Sequence, residues 1–279
     1  MIEDAAEGFG SRFNVQVLGT FGKYGVLSFN GNKMITTSGG GALITPDEES
    51  WREIMMYATQ YRESYPYYQH EKIGYNYRMS NICAGIGRGQ MTVVNDHIAH
   101  HKHVQKMYEE LLAGVPGITV HSQPQDVIST NVERSLDSAR DDKGNARDDV
   151  PVYDSNYWLC TITLDPELKI KGQENAYKTI VQGAVGGAAG VIHAASSAVT
   201  DCQPNDNVEA LRVFMDAAGI EARPVWKPMH KQPCYASAPA YVNGVSEAIF
   251  KVGMCLPAGP YVSDEDVKYI VETIKGAIE

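Results

Sequence analysis

The sequence predicts an α/β fold, in which short strands alternate with helices. Residues 158–164 alternate between apolar and polar side chains, as a half-buried strand does. A helix with one apolar face is expected after Asn207 and another after Ser263, so strands and helices alternate from about residue 100 onward. Such alternation is typical of a domain that packs helices against a sheet.

Three short strands are expected near the start of the chain. Residues 2–4 look like the end of a buried strand, which puts Asp4 where open α/β sheets bind their ligands. Residues 26–29 and 42–44 are similar short apolar segments, and a run of consecutive glycines precedes the second of them.

Helices are expected from residue 45 onward. Thr45 and Glu48 have the spacing of a capping box, with Pro46 in the first helical position. Seven tyrosines within residues 57–77 favour a loop that is ordered by amphipathic contacts. Residues 84–112 look like one long helix that connects two domains.

The second half of the chain contains a polar segment, followed by helices with clear boundaries. Residues 122–150 are polar and charged, which favours an exposed arm, a hairpin or partial disorder. Asn207 is expected to cap a helix that Gly219 ends. Ser263 is expected to cap the last helix, whose apolar stripe consists of Val267, Ile270, Val271, Ile274 and Ile278.

The composition argues against several classes of protein. A formal net charge of -10 disfavours a nucleic-acid binder, which needs a basic surface. The most apolar stretch, residues 180–199, carries too many polar residues and glycines to span a membrane and is expected to be a small-residue helix. The first residues, MIEDAAEGFGS, have neither a basic start nor an apolar run, so we expect a cytoplasmic protein.

Neither a metal site nor a dinucleotide site is expected. The five cysteines lie far apart without a CxxC pair, which suits reduced, mostly buried thiols. His97 and His101 form an i, i+4 pair beside His100 and His103, but without a third ligand at helical spacing a solvated helix face is expected. The glycines at residues 186–190 lack the preceding strand of a dinucleotide-binding loop.

One lysine, Lys33, stands among small polar residues in SFNGNKMITTSGGG, residues 28–41. Desolvation of a lysine there would disfavour its charged form, as an amine requires in order to attack an aldehyde carbon. The glycines would let a backbone segment or a flat ligand approach closely. Composition alone favours the alternative, which is a surface lysine on a glycine-rich turn.

Several motifs in a fixed order resemble the DegT/DnrJ/EryC1/StrS family of sugar aminotransferases, which depend on pyridoxal 5'-phosphate (PLP). These motifs are EDAAE at residues 3–7, SFNGNK and TTSGGG within 28–41, GYNYRMSNICAGIGRGQM at 74–91, EARPVWKPMHKQP at 221–233 and CLPAGP at 255–260. The resemblance covers nearly the whole chain, apart from residues 122–150 and 169–203, which look like variable insertions.

The resemblance implies a PLP-dependent transferase of fold type I, similar to aspartate aminotransferase. Residues 1–90 would be the remainder of the PLP-binding large domain, that is, its second half. Residues 91–279 would be the connector helix and the C-terminal small α/β domain.

The resemblance also implies roles for individual residues. Lys33 matches the lysine that holds PLP and moves a proton between the substrate carbon and the cofactor, and Asp4 matches the carboxylate that keeps the pyridine nitrogen protonated. Glu7 falls near the PLP 3'-oxygen, and Ser28 matches a hydroxyl donor to the cofactor phosphate. Asn76 matches a residue that reaches the phosphate of the neighbouring subunit's cofactor, which implies a homodimer with shared active sites.

Taken singly, these residues also have structural interpretations: Asp4 as a helix cap, Ser28 as a strand residue and Asn76 as a turn former. For the substrate side, Arg223 and His230 are candidates to contact the sugar nucleotide. Asn30 is a candidate to face the sugar ring. A purely structural role explains each of these three residues equally well.

The family pattern implies a ping-pong reaction. An amino donor, usually glutamate, transfers its amino group to the cofactor, which then aminates a keto sugar attached to a nucleotide. The SFNGNK and RPVWKPMH versions of the motifs look most like those of enzymes that aminate the 4-keto group of UDP-linked 4-keto-6-deoxy-N-acetylhexosamines, as in bacillosamine-type glycan synthesis.

One departure from the family concerns the segment before EDAAE. Family members carry there the first strands of the large domain, a phosphate-binding helix N-terminus and an aromatic residue that stacks on PLP. Without this segment, we expect the isolated chain to bind PLP poorly, or to aggregate through exposed strand edges. The alternative to an enzyme is therefore a truncated or degenerate, non-catalytic chain that needs a partner segment to fold.

Overall fold

The structure is a computed structural model that describes residues 1–122, 152–177 and 202–279. The arm expected from residue 122 to residue 150 lies outside the described residues, apart from Ser122. The small-residue helix expected at 180–199, with its glycines at 186–190, also lies outside them.

The chain divides into two compact units. The first contains Met1–Lys102 and Gln123–Trp158, and the second contains His103–Ser122 and Leu159–Glu279. The assignment of a large domain to residues 1–90 and a small domain to residues 91–279 stays a prediction.

Strands and helices follow one another along the described residues. The strands are β1 (Ile2–Asp4), β2 (Arg12–Phe13), β3 (Gln16–Val17), β4 (Tyr24–Ser28), β5 (Gly41–Ile44), β6 (Ile118–His121), β7 (Tyr153–Asp154), β8 (Cys160–Leu164), β9 (Arg223–Pro224) and β10 (Gly253–Leu256). The α-helices are α1 (Glu48–Ala58), α2 (Asn81–Met91), α3 (Val94–Leu111), α4 (Asp206–Ala217), α5 (Val245–Val252) and α6 (Asp264–Ala277). The predicted α/β class is confirmed.

In the first unit, the expected early strands form a sheet in the order β1-β4-β5. β1 runs parallel to β4, with Asp4 opposite Val26, and β5 is antiparallel to β4. The prediction that residues 2–4 form a buried strand is wrong in one respect, because Ile2 is 71% exposed. Within the described residues β1 is an edge strand, so its side chains gain little cover from the sheet.

Helix α1 begins two residues later than the capping-box prediction requires. The side chain of Asp47, not of Thr45, caps it by accepting a hydrogen bond from the Ser50 N–H at 3.1 Å. Thr45 Oγ1 instead accepts from the Asp47 N–H, and Pro46 precedes the cap rather than filling the first helical position. Asp47 is the better cap because the positive end of the helix dipole also stabilises its carboxylate.

The single helix predicted over residues 84–112 is wrong, because α2 ends at Met91 and α3 begins at Val94. The Thr92 hydroxyl donates to the Gly89 carbonyl at 2.7 Å, and the Val93 N–H closes a turn onto the Gln90 carbonyl. Three β-branched residues in a row follow a glycine-rich helix here, and both features lower helix propensity.

Of the tyrosine-rich residues 57–77, those that follow α1 form a loop closed by two antiparallel bridges, Thr59 with Asn76 and Arg62 with His70. Pairs of tyrosine rings stack within the loop, and the ring centroids of Tyr75 and Tyr77 lie 5.0 Å apart. Most of these tyrosines are exposed, and Tyr61 is buried.

The second unit contains a four-stranded sheet in the order β6-β8-β10-β9, with antiparallel pairing throughout. Along β8 the side chains alternate between buried and half-buried, as the sequence pattern predicted. The core around this sheet includes Tyr108, Ile162, Leu211, Met254 and Ile274, all of which are fully buried.

The ends of the helices in the second unit are largely as predicted. Gly219, in the left-handed region at φ 76°, ends α4, and the Ile220 N–H returns to the Met215 carbonyl. Ser263 caps α6 in a complete capping box with Asp266. The residue predicted to cap α4 is wrong: Asn205 holds that position, and Asn207 lies buried inside the helix.

Within the described residues, no helix is both long enough and apolar enough to cross a membrane. All five cysteines carry free thiols, and Cys160, Cys202 and Cys255 are buried, as expected for reduced thiols.

Candidate functional site

Lys33 lies in the turn that follows β4 in the first unit. Its backbone N–H donates to the Asn30 carbonyl at 3.1 Å, which closes the turn. The Nζ donates to Glu7 Oε1 at 3.0 Å and lies 4.3 Å from the centroid of the Trp158 ring. The Lys33 side chain is 14% exposed, so the amine is largely covered by a carboxylate and an aromatic face.

Asp4 and Ser28 end two neighbouring strands. Because β1 and β4 are parallel, the carboxyl ends of both strands lie at the same edge of the sheet. Asp4 Oδ1 accepts a hydrogen bond from the Ala6 N–H at 3.2 Å, and Ser28 Oγ accepts one from the Asn30 N–H at 3.4 Å. The structure thus brings a carboxylate and a hydroxyl to the strand ends from which the Lys33 turn departs.

Glu7 is placed by the backbone that continues from β1. The Ala5 N–H donates to the Val26 carbonyl at 2.9 Å and extends the strand pairing by one residue. The Glu7 carboxylate then pairs with Lys33, whereas the sequence resemblance associated it with the cofactor's 3'-oxygen. Its side chain is 52% exposed, so water screens this ion pair from one side.

Strand pairing explains one glycine of the run that follows Lys33, namely Gly41. A Cβ on Gly41 would lie 2.5 Å from the Leu27 carbonyl oxygen, so β5 can approach β4 at this point because residue 41 is glycine. At Gly39 a Cβ would meet nothing within 4 Å. The close approach expected at the triple glycine is therefore made by backbone at Gly41.

The four remaining predicted site residues lie in three places: the turn of Lys33, the tyrosine-rich loop and the second unit. Asn30 is exposed beside Lys33, and its Nδ2 donates to Asn32 Oδ1 at 3.3 Å. Asn76 lies in the tyrosine-rich loop. Their roles toward a phosphate or a sugar ring stay predictions.

Arg223 and His230 belong to the second unit, where each faces a carboxylate. Arg223 Nε donates to Glu221 Oε1 at 2.9 Å. His230 Nε2 lies 2.9 Å from Glu247 Oε1, and this contact, followed by that of Lys231, lowers the pKa of Glu247. These two residues stay candidates for the substrate side.

Two residues that contact the Lys33 region were missed in the sequence. Trp158 is the first residue of the predicted strand, but β8 begins at Cys160, and Trp158 lies before it with its ring against the Lys33 amine. Asn156 is buried, and its Nδ2 donates to the carbonyls of Glu7 and Phe9 at 2.9 and 3.0 Å. Sequence spacing could not reveal either contact, because well over a hundred residues separate the partners.

The histidine cluster on α3 is not uniformly solvated. His101 is buried, and its Nδ1 donates to the Tyr157 carbonyl at 3.0 Å. Burial lowers the pKa of His101 to about 4, so the imidazole is neutral at physiological pH. The expectation of a solvated face is wrong for this residue, because it packs against the segment that carries Trp158. No group of three or more His, Cys, Asp and Glu side chains in the described part of the chain could hold a metal ion.

Comparisons with known proteins identify relatives along the whole chain. A protein of Bacillus subtilis (strain 168), EpsN, which is provisionally named a pyridoxal phosphate-dependent aminotransferase, is 32% identical over 278 residues. That match covers 98% of this chain and 55% of EpsN. GDP-perosamine synthase of Escherichia coli O157:H7 is 29% identical, over 98% of this chain and 57% of the relative. The chain therefore spans little more than half the length of these curated relatives.

A solved structure gives the same result for the fold. The crystal structure of a DegT DnrJ EryC1 StrS aminotransferase from Brucella abortus superposes with a TM-score of 0.66 at 21% identity, over 99% of this chain and 56% of that one. The fold is thus that of the fold type I aminotransferases, and the comparisons do not favour the alternative of a non-catalytic chain. A sequence model described as the DegT/DnrJ/EryC1/StrS aminotransferase family matches residues 1–150 and 174–275, and the chain belongs to that family.

Proposed function

We propose that this chain carries the catalytic lysine of a PLP-dependent aminotransferase that acts on nucleotide-linked keto sugars. The observation that supports this most strongly is the environment of Lys33. Its amine is largely covered by protein and lies just after a strand whose parallel neighbour ends at Asp4. An amine held in one direction by its neighbours suits attachment to one bound ligand better than a mobile surface lysine does.

The chemical groups at this sheet edge fit PLP. PLP requires an amine for its aldehyde carbon, an anion for its ring nitrogen and hydrogen-bond donors for its phosphate. Lys33 supplies the amine, Asp4 the anion and the Ser28 hydroxyl one donor. Asp4 and Ser28 end two adjacent strands, and Lys33 follows the second of them. The residues present are therefore compatible with one flat ligand.

When bound, PLP would supply an electron sink for the electrons released as a proton leaves the substrate carbon. Lys33 would hold the cofactor through its Nζ and later carry that proton. Asp4 would keep a proton on the ring nitrogen, and Glu7 would stay close to the Lys33 amine. In a homodimer, Asn76 would reach the phosphate in the neighbouring subunit's site.

For the substrate, we propose a 4-keto group on a nucleotide-linked deoxy sugar, with glutamate as the amino donor. The names of two relatives support a sugar substrate, since one is a GDP-perosamine synthase and another a UDP-4-amino-4,6-dideoxy-N-acetyl-beta-L-altrosamine transaminase. The motif versions in this chain favour the UDP-linked N-acetylhexosamine class. Asn30, Arg223 and His230 would contact this substrate.

Covalent trapping tests the role of Lys33. The protein is incubated with PLP, reduced with borohydride and digested, and the modified lysine is located by mass spectrometry. The experiment uses residues 1–279 alone and a chimera that adds the part of EpsN that they do not match, because the relatives are longer. We expect modification at Lys33 and its loss in Lys33→Ala, with Lys23→Ala as the exposed-lysine control. Modification at other lysines, or at none in either protein, would refute the proposal.

The substrate class is tested separately with the chimera and glutamate. Matched 4-keto sugars linked to UDP or to GDP are offered, and the aminated product is identified by mass spectrometry. Amination of the UDP-linked N-acetylhexosamine is the expected result. Product from the GDP-linked sugar alone would keep the aminotransferase and overturn the proposed substrate.

A further inference from the structure

One short segment, residues 155–158, holds both partners of the Lys33–Glu7 ion pair. On the Glu7 side, the buried Asn156 amide donates to the carbonyls of Glu7 and Phe9. The Asn156 N–H donates to Ser11 Oγ at 2.9 Å. The backbone that carries Glu7 is thus fixed through three hydrogen bonds from a single residue.

On the Lys33 side, Trp158 makes two contacts. Its Nε1 donates to the Asn32 carbonyl at 2.7 Å, one residue before the lysine. Its ring lies under the Lys33 ammonium at 4.3 Å from the centroid. One contact fixes the turn, and the other covers and attracts the charged group at the end of the side chain.

The segment is itself anchored to α3. The Tyr157 carbonyl accepts a hydrogen bond from His101 Nδ1, and Lys102 pairs with Asp154 just before the segment. Within the segment, the Trp158 N–H donates to Asn156 Oδ1 at 2.9 Å. These contacts fix the backbone that carries Trp158, so its ring can hold the Lys33 amine in place.

We infer that Trp158 is a positioning residue for Lys33. The indole N–H sets the turn at Asn32, and the indole face directs the Nζ and shields it from water. This role rests on the proposed function, because a fixed direction of the amine matters when that amine must meet one carbon of a bound ligand.

Amine labelling in the absence of PLP tests this inference. The protein is acetylated briefly with acetic anhydride, and the ratio of labelling at Lys33 to labelling at Lys23 is measured by peptide mass spectrometry. Lys23 is a suitable internal reference because it lies in the same unit and its side chain is 58% exposed. The variants are Trp158→Leu, which removes both contacts, and Trp158→Phe, which keeps an aromatic face. Trp226→Phe, at an exposed tryptophan of the second unit, is the matched control.

We expect Trp158→Leu to raise the labelling ratio about two- to fivefold, as loss of a cation–π contact predicts. Trp158→Phe gives a smaller change, and Trp226→Phe gives none. A purely structural tryptophan would not change the labelling of one lysine while leaving that of the other unchanged.

An unchanged ratio in Trp158→Leu, or an equal change in Trp226→Phe, overturns the inference. If Trp158→Leu loses its circular dichroism spectrum, Trp158→Phe decides, since it keeps an aromatic ring but lacks the indole N–H; an unchanged labelling ratio in that variant then overturns the inference. The labelling result does not depend on PLP. Failure of PLP to attach to Lys33 would therefore refute the proposed function, whereas unchanged labelling would refute the role of Trp158.

Discussion

Replacement of Asn207 by alanine is expected to destabilise the second unit, although the sequence suggested a simple helix cap. The buried Asn207 Nδ2 donates to the Asp165 carbonyl at 2.9 Å and to the Leu168 carbonyl at 3.2 Å. These bonds tie α4 to the turn that follows β8. Asn205, which holds the cap position, makes no side-chain capping bond.

The size of the effect follows from these two bonds. Each is worth about 1 kcal/mol net, and a small cavity adds to their loss. The buried Oδ1 of Asn207 has no partner among the described residues, so its removal offsets part of that cost. The net destabilisation is about 2 kcal/mol, which corresponds to a fall in Tm of about 6 °C for a unit of this size.

Thermal and urea unfolding, followed by far-UV circular dichroism, measure this effect, with Asn205→Ala as the matched control. Asn205→Ala should cost less than about 0.5 kcal/mol, because no side-chain capping bond is lost. Equal destabilisation by the two variants, or a larger effect of Asn205→Ala, would refute the reasoning.

Three further predictions concern stability. Because burial lowers the pKa of His101 to about 4, the unfolded chain takes up a proton below about pH 6.5 that the folded chain does not. The free energy of unfolding should therefore fall between about pH 6.5 and pH 4, and His101→Gln should flatten this dependence in urea titrations at several pH values. Gly219→Ala should destabilise by about 1 kcal/mol because φ is positive there, whereas Gly276→Ala, inside α6 with open space around it, should stabilise by a similar amount. Equal effects of the two substitutions in thermal unfolding would contradict this. Ser263→Ala should cost about 1 kcal/mol through loss of the capping box, and an unchanged Tm would argue against it.

The parts of the fold that could be predicted depend on local chemistry. Ser263 and Gly219 act within a few residues of themselves, through a hydrogen bond to the first turn and through a left-handed backbone angle. The misplaced caps show the limit of this approach. Near α1, two oxygen-bearing side chains, Thr45 and Asp47, competed for one cap, and the sequence does not contain the backbone angles that decided between them.

The site shows the same limit over longer distances. The sequence could single out Lys33 and Asp4 as candidates because their motifs are short and ordered along the chain, and in the structure Asp4 ends β1, the parallel neighbour of the strand that precedes the Lys33 turn. Trp158 and Asn156 could not, because their contacts with this region are made by folding alone. The exposure of Ile2 was also missed, since burial depends on the neighbours a strand acquires.

The return of residues 153–158 to the first unit has a consequence for variation in chain length. β7 pairs with β2 through Asp154 and Arg12, which lie far apart in the sequence. The entropy of closing a connection between two paired strands grows only with the logarithm of its length, so that doubling a flexible connection costs only about 0.6 kcal/mol. Variation in the number of residues before β7 should therefore cost this pairing little.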